Sequence, residues 1–425
     1  MSTPSVVHEA AAFSSLAVTV GLALARPRIG RRFRITPALA AAIGVGLTLI
    51  FGVVHPSDVG EAASSLWRAL ATIASIMVLT AAARRLGVLD RLAPMALARS
   101  EGSAERHFAL VFSMSAVTAA VLNNDAAILL LTPLVVLHVR YVYADPRMQI
   151  PFAFAVYMAA GVAPLVVSNP MNFIVAQLVG IGFNEYALRM LPIAIAGWIV
   201  SFVVLHRLFR AELRLGQAGM RTAAKPPRTW SRPQIEALVV LLVVLLAYPV
   251  ASFLDQPIWG VAVAGAALAL WVCHRHGSGR PVDVLRKDVS WDTLGFLLGV
   301  LVLAFGLRNV GFVGQLSDLY ESASVWTIGF VSAIGSAIIN NHPMALINLL
   351  AIGDTIEPTK TDYLAALIGG DLGPRLAPIG SLAGLLWYAS LRTLGVHVPV
   401  TKFMRIGVAV TVPSIAASLL ILQVT

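Results

Sequence analysis

Charge is scarce in this sequence. Asp, Glu, Lys and Arg make up 12% of the 425 residues, and only 21 of them are acidic. A water-soluble domain needs about twice that share to cover its surface. Cysteine is nearly absent as well: Cys273 stands alone, which excludes a disulfide framework and any metal site built from several thiolates. There is no Walker phosphate loop between a strand and a helix, no metal-ligand spacing and no nucleophile elbow, so no soluble-enzyme chemistry is visible. What remains is apolar. Hydrophobic residues reach 58% and the mean hydropathy is +0.82, values of a polytopic membrane protein. The net charge of +10 then orients the chain in a bilayer and does not point to nucleic acid.

A helix needs about 20 apolar residues to cross the hydrocarbon. That rule predicts spans at 9–25, 36–54, 64–83, 149–181, 188–205, 235–253, 257–273, 291–307, 363–391 and 404–423. The first lacks a basic stretch before its apolar run, so it reads as a retained helix and not as a cleaved signal. Two further apolar regions, 107–139 and 325–352, have polar centres and arms of about 15 residues, too short to cross twice. Read as re-entrant hairpins, they leave the basic loops on one side. The stretches holding Arg26 to Arg34, Arg84 to Arg106, Arg140 and Arg147, Arg207 to Arg232, Arg275 to Lys287 and Arg392 to Arg405 all become cytoplasmic. Only Arg68, Arg189, Arg308 and Lys360 fall outside, and Arg375 lies within a span. Both termini are then periplasmic.

The hairpin centres repeat. "SAVTAAVLNN" (115–124) aligns without a gap with "SAIGSAIINN" (332–341), pairing Asn123 with Asn340 and Asn124 with Asn341. The copies lie in opposite orientations, which predicts an all-α fold of two inverted-topology repeats, each of five spans and one hairpin. The first repeat is 1–209, a basic cytoplasmic linker occupies 210–233, and the second repeat is 234–425. Each hairpin precedes a span interrupted by Pro and Gly: "GVAPLVVSNPMN" with Pro164 and Pro170, and "DLGPRLAPIGS" with Gly373, Pro374, Pro378 and Gly380. Unwound backbone at membrane depth survives only inside protein or beside a wet cavity. Two tips and two broken helices therefore point to one central site near the midplane.

The polar residues at that depth are the candidates. Asn123, Asn124, Ser168, Asn169, Asn172, Asn340, Asn341 and Ser381 are expected to bind substrate; Asp125, His342 and Asp371 are expected to carry protons. Each has a structural alternative: interhelical hydrogen bonding for the asparagines, a neutral hydrogen-bonded ring for His342, and an ion pair with Arg375 for Asp371. Asp125 has no basic neighbour in sequence and is the better proton carrier.

The stretches "LNNDAAILLLTPLVV", "VSNPMNFIVA", "NNHPMALINLLAI" and, most specifically, "GGDLGPRLAPIGSLAGLLW" resemble the arsenite/antimonite efflux permeases, the ArsB type of the ion transporter superfamily. The resemblance runs from the first span to the last. Two positions depart from that pattern: Asn-Asn-Asp-Ala-Ala replaces the usual Asn-Asp-Gly-Ala-Ala at the first tip, and His342 replaces a residue that is commonly apolar. The resemblance implies a proton-coupled exporter of trivalent arsenic and antimony in a bacterial inner membrane, with a scaffold and a transport domain that moves as an elevator. It needs no cofactor. A soluble arsenite-stimulated ATPase and a second copy of the chain are the protein partners it suggests, beside membrane lipid.

The chemistry agrees. Arsenious acid is neutral near pH 7 and carries three hydroxyls, which amides can match as donors and acceptors without charge. With one cysteine, capture by three thiolates is impossible, so the cargo is expected to travel as its hydroxide. Within the same fold, export of silicic acid and sodium-coupled anion transport are alternatives. A membrane hydrolase using Asp125, His342 and Asp371, and a passive channel, are readings from other classes.

Overall fold

The computed structural model describes residues 6–29, 33–217 and 229–425. It is helical throughout, apart from an antiparallel two-residue bridge of β1 (Arg28–Ile29) with β2 (Phe33–Arg34). The helices begin with α1 (Val6–Ala25), α2 (Pro37–Ile50), α3 (Pro56–Arg85), α4 (Leu92–Arg99) and the pair α5 (Ala104–Val121) and α6 (Asn124–Val142). Then come α7 (Gln149–Ala159), α8 (Pro170–Leu178) and the long α9 (Phe183–Gln217). Beyond the linker follow α10 (Arg232–Phe253), α11 (Ile258–Arg275), α12 (Pro281–Lys287), α13 (Trp291–Asn309) and α14 (Phe312–Glu321). The chain closes with the pair α15 (Val325–Ile339) and α16 (Asn341–Gly353), then α17 (Lys360–Leu372), α18 (Leu382–Thr393) and α19 (Val400–Leu422).

Local sequence sets many of the starts. Proline opens α2, α3, α8 and α12, where its missing N–H is no loss and its fixed φ suits the first turn. Capping boxes add to this at Ser231 with Gln234 and at Thr359 with Asp362.

Eight helices among the described residues are long and apolar enough to cross a membrane: α1, α3, α6, α9, α10, α11, α13 and α19. Seven of these match expected spans. The expected spans 149–181 and 363–391 are not continuous helices: α7 stops at Ala159 and α8 starts at Pro170, and α17 and α18 are separated by two 3-10 turns, 373–375 and 378–380. The remaining expected span, 36–54, is helical only over the 14 residues of α2.

The eighth, α6, corrects the estimate of the first hairpin's arms. They run to 18 and 19 residues, about 27–28 Å of helix each. Charged residues had marked the ends in sequence, yet they do not stop these helices. Arg140 stays in the last turn of α6 because its long side chain reaches Gln149 Oε1 (3.1 Å) and Leu394 O. For a related reason α9 continues through Gln217, into the segment expected to be linker. Phe209 and Leu213 still bury an apolar stripe there, and Gln217 bonds the backbone of Gly102 and Ala104. Residues 218–228, the rest of that linker with Arg221, Lys225 and Arg228, lie outside the described residues, as do Arg31 and Arg32 of the first basic loop.

Buried apolar side chains form two clusters. One joins α1–α3, α8, α10, α11 and α13–α17; the other joins α4–α7, α18 and the aromatic group Phe154, Tyr157, Trp387 and Phe403. Helices α9, α18 and α19 contribute to both, and α9 and α19 pack on each other. The candidate site lies where the clusters meet.

Candidate functional site

The two hairpin tips are built alike. At the first, Asn123 caps α6: its Oδ1 accepts from the backbone N–H of Asp125 (2.8 Å) and Ala126 (3.2 Å). At the second, Asn340 caps α16 by accepting from His342 N (3.3 Å). Asn340 has φ 82 and ψ 147, in a region where glycine is usual. Asn123 is extended, with φ 173, and Asp125 sits within the first turn of α6. The glycine of the usual pattern is therefore not required at residue 125.

The two breaks also match. Each runs from an extended residue, Leu165 or Ala377, through one 3-10 turn to an extended N-cap, Asn169 or Ser381. Asn169 Oδ1 accepts from Met171 N (3.0 Å) and Ser381 Oγ from Gly384 N (2.9 Å). Four of the expected substrate ligands are thus helix N-caps, with a side-chain oxygen committed to backbone amides.

A cavity of about 330 Å³ opens between the clusters. Its polar end is formed by Asn123, Asp125 and His342; its walls are apolar, with Met77, Leu129, Leu130 and Leu386 among them. Arg26, Arg84, Lys287, Asp288 and Asp292 also line it, and Asp288 is held by Arg84 and by Arg85 Nε (2.6 Å). The Asp125 carboxylate has no hydrogen-bond or ion-pair partner among the described residues. His342 Nδ1 lies 3.1 Å from Asn340 Oδ1, and that oxygen is fixed as the acceptor by the backbone N–H it also receives. Nδ1 therefore carries the proton of the neutral ring, leaving Nε2 bare, and Nε2 has no protein partner. The polar end thus offers an amide donor and an unpaired carboxylate, beside an imidazole whose bare nitrogen is buried.

With this geometry in view, the comparisons with known proteins are decisive. A family profile described as arsenical pump membrane protein, ArsB, matches residues 18–425. The chain belongs to that family. It is 30% identical over 397 residues to the arsenical pump membrane protein of Escherichia coli K12, covering 89% of this chain and 91% of that one. It is 29% identical over 433 residues to the arsenical pump membrane protein of Yersinia enterocolitica, covering 97% and 99%. Among solved structures, the YdaH transporter of Alcanivorax borkumensis superposes with a TM-score of 0.60 over 97% of this chain and 96% of that one, at 14% identity, a likeness of fold. The chain is accordingly a multi-pass membrane transporter of the arsenical efflux family and not an enzyme.

In this family member the remaining expected residues do not line the cavity. Asn124 Nδ2 donates to Gly161 O (3.0 Å), Ser168 Oγ donates to Ala120 O, and Asn341 is buried with its Oδ1 unpartnered. Asn169, Asn172 and Asp371 form a separate buried network. Asp371 Oδ1 accepts from Asn169 Nδ2 (2.7 Å), and Oδ2 accepts from Asn172 Nδ2 (2.9 Å) and Ala163 N (2.9 Å). No ion pair joins Asp371 to Arg375 among the described residues. The guanidinium instead donates to Met158 O (2.6 Å) and Ser201 Oγ (3.2 Å). Sequence reasoning missed Tyr186, whose hydroxyl accepts from Asn172 Nδ2 (2.6 Å) and donates to Ala163 O (3.1 Å). It also missed Met77, Thr80 and Arg84 of α3, which line the cavity. A tyrosine or methionine in an apolar span carries no signal of its own that separates lining from packing.

Proposed function

We propose that this cavity takes up arsenite and antimonite as neutral hydroxides on the cytoplasmic side and that their export is driven by exchange for protons. The observation that carries the reading is the pair of unsatisfied groups at the polar end, the Asn123 amide and the unpaired Asp125 carboxylate. A trihydroxide donates to the two carboxylate oxygens and accepts from the amide, needing no charge of its own. Protonation of Asp125 removes one of those acceptors. Proton and cargo then alternate at the same place, and each turnover exchanges one for the other. His342, whose ring lines the same end, shares the proton.

A neutral solute gains nothing from the membrane potential by itself. Coupling to one proton supplies about 2.3 kcal/mol per 100 mV, enough for roughly a 40-fold gradient at about 1.4 kcal/mol per tenfold. The charged mouth with Arg26, Arg84 and Lys287 belongs to the basic, cytoplasmic side, so the cavity described is the inward-open one. The likeness of the two tips and the two breaks supports two inverted repeats. The division into two buried clusters supports a transport unit moving against a scaffold.

Arsenite uptake into everted membrane vesicles with an imposed pH gradient and no ATP tests this directly. Uptake that is uphill, abolished by an uncoupler and unaffected by silicic acid is the expected result. Flux only down the arsenite gradient, or none without ATP and a soluble ATPase, would overturn proton exchange. Competition by silicic acid would move the substrate to a broader class of hydroxides.

A further inference from the structure

Asp371 and Arg375 are both buried, 8% and 2% exposed, and neither lines the cavity. Both sit on one short stretch, the end of α17 and the 3-10 turn that follows it. Their partners lie at or beside the break between α7 and α8, except Ser201 of α9, which also accepts from Arg375. Arg375 meets the carbonyl end of α7 at Met158 O, where the half-helix is electronegative. Asp371 meets the amide end of α8 through the cap residue Asn169, the first-turn residue Asn172 and the backbone of Ala163. Each charge faces the helix end of opposite sign. All three partners of Asp371 are donors, so both oxygens of the buried carboxylate are satisfied by groups fixed at the break, the arrangement a positioning contact needs.

We propose that Asp371 and Arg375 are positioning residues: a charge clamp from the second half that fixes the break of the first half and, through it, seats the Asn123–Asp125 tip at the cavity. The link is continuous. Between the two clamped ends lies Gly161, whose carbonyl receives Asn124 Nδ2 at 3.0 Å, and Asn124 stands between Asn123 and Asp125. Ser168, at the other end of the break, ties it to Ala120 on α5. Gly161 has no space for a side chain: a Cβ there would lie 2.8 Å from Arg375 Nη2 and 3.2 Å from Trp198 Nε1. Tyr157 Oη adds a bond to Pro374 O (3.3 Å) on the clamp's own turn. Asp371 and Arg375 do not touch but attract each other through space, so removing either alone leaves a net charge in the protein interior, whereas removing both leaves a neutral, if looser, contact.

The inference rests on the transport reading for its kinetic test but not for its stability test. Proton-driven arsenite uptake is compared for D371N, R375M, R375K, G161A and the double variant D371N/R375M. The expected result for D371N, R375M and G161A is a KM for arsenite raised about tenfold, the effect of losing one charged hydrogen bond, with the shape of the pH profile unchanged. R375K recovers part of the loss, and the double variant transports better than either charge-removing single. A flattened pH profile for D371N, or an unchanged KM for G161A, overturns the clamp. Should wild type show no proton-driven uptake, the transport reading fails on its own, and the clamp is read from thermal unfolding in detergent. There the double variant should melt above both singles; a double that melts below both overturns it.

Discussion

At the scale of single residues, the separation of capping from binding is the question most open to experiment. Asn123 is placed for both: its oxygen caps α6, and it lines the cavity with an amide nitrogen that has no partner among the described residues. Asn123→Asp keeps a capping oxygen and replaces the donor by an acceptor. That variant should keep its melting temperature while its KM for arsenite rises. Asn123→Ala loses the cap as well and should also lose about 1 kcal/mol of stability. Equal melting of all three proteins would remove the cap from the account. Asp125→Asn keeps shape and hydrogen-bonding capacity but cannot exchange a proton. It should abolish accumulation driven by a pH gradient while leaving arsenite binding measurable, and full pH-driven accumulation by this variant would remove Asp125 from the coupling step. The wild type should slow on the side where Asp125 stays protonated throughout the cycle, at acid cytoplasmic pH, and Asp125→Asn should lose that dependence.

Among the elements, the two hairpins differ in how they are held. α15 lies against α17 with almost no side chain between them. A Cβ on Gly369 would come 2.0 Å from Gly329 O and one on Gly373 would come 2.4 Å from Ala333 O. Glycine is required there by close approach, since both positions have ordinary helical backbone. Gly369→Ala must push the helices apart, and overpacking of this kind typically costs about 1–3 kcal/mol. A clear drop in melting temperature of the purified protein is expected, and an unchanged one would mean that the pair separates freely. The first hairpin is joined to its break by side chains instead, through Asn124 and Ser168. Those contacts are fewer and more easily exchanged than a backbone-to-backbone packing, so the tip nearest the cavity is the one the fold holds less tightly.

For the whole molecule, the single cysteine makes the predicted orientation simple to check. In a Cys273→Ala background, one cysteine at a time is placed at Gln256, Arg280 or Glu357, all exposed positions in loops between helices. A membrane-impermeant thiol reagent applied to intact cells should label the Gln256 and Glu357 positions and spare the Arg280 position. Everted vesicles should give the reverse. Labelling of all three from one side would overturn the orientation drawn from the basic loops, and with it the cytoplasmic assignment of the cavity mouth.

What the sequence determined by itself was set by the bilayer. Apolar runs of fixed length, and Pro and Gly where a helix cannot continue, are local features, and the structure has breaks at both expected places. The tips were legible too, as paired asparagines, although their capping role was not assigned; a cap joins residues two apart and so lies within reach of sequence reasoning. Tertiary structure alone decided which polar groups face the cavity. Asn169 and Asp371 are 202 residues apart, and Arg375 and Met158 are 217 apart. Nothing local distinguishes a carboxylate that accepts three buried donors from one left open beside a cavity. That choice between Asp371 and Asp125 is made by packing, which brings hydrogen-bond donors to one and a cavity to the other.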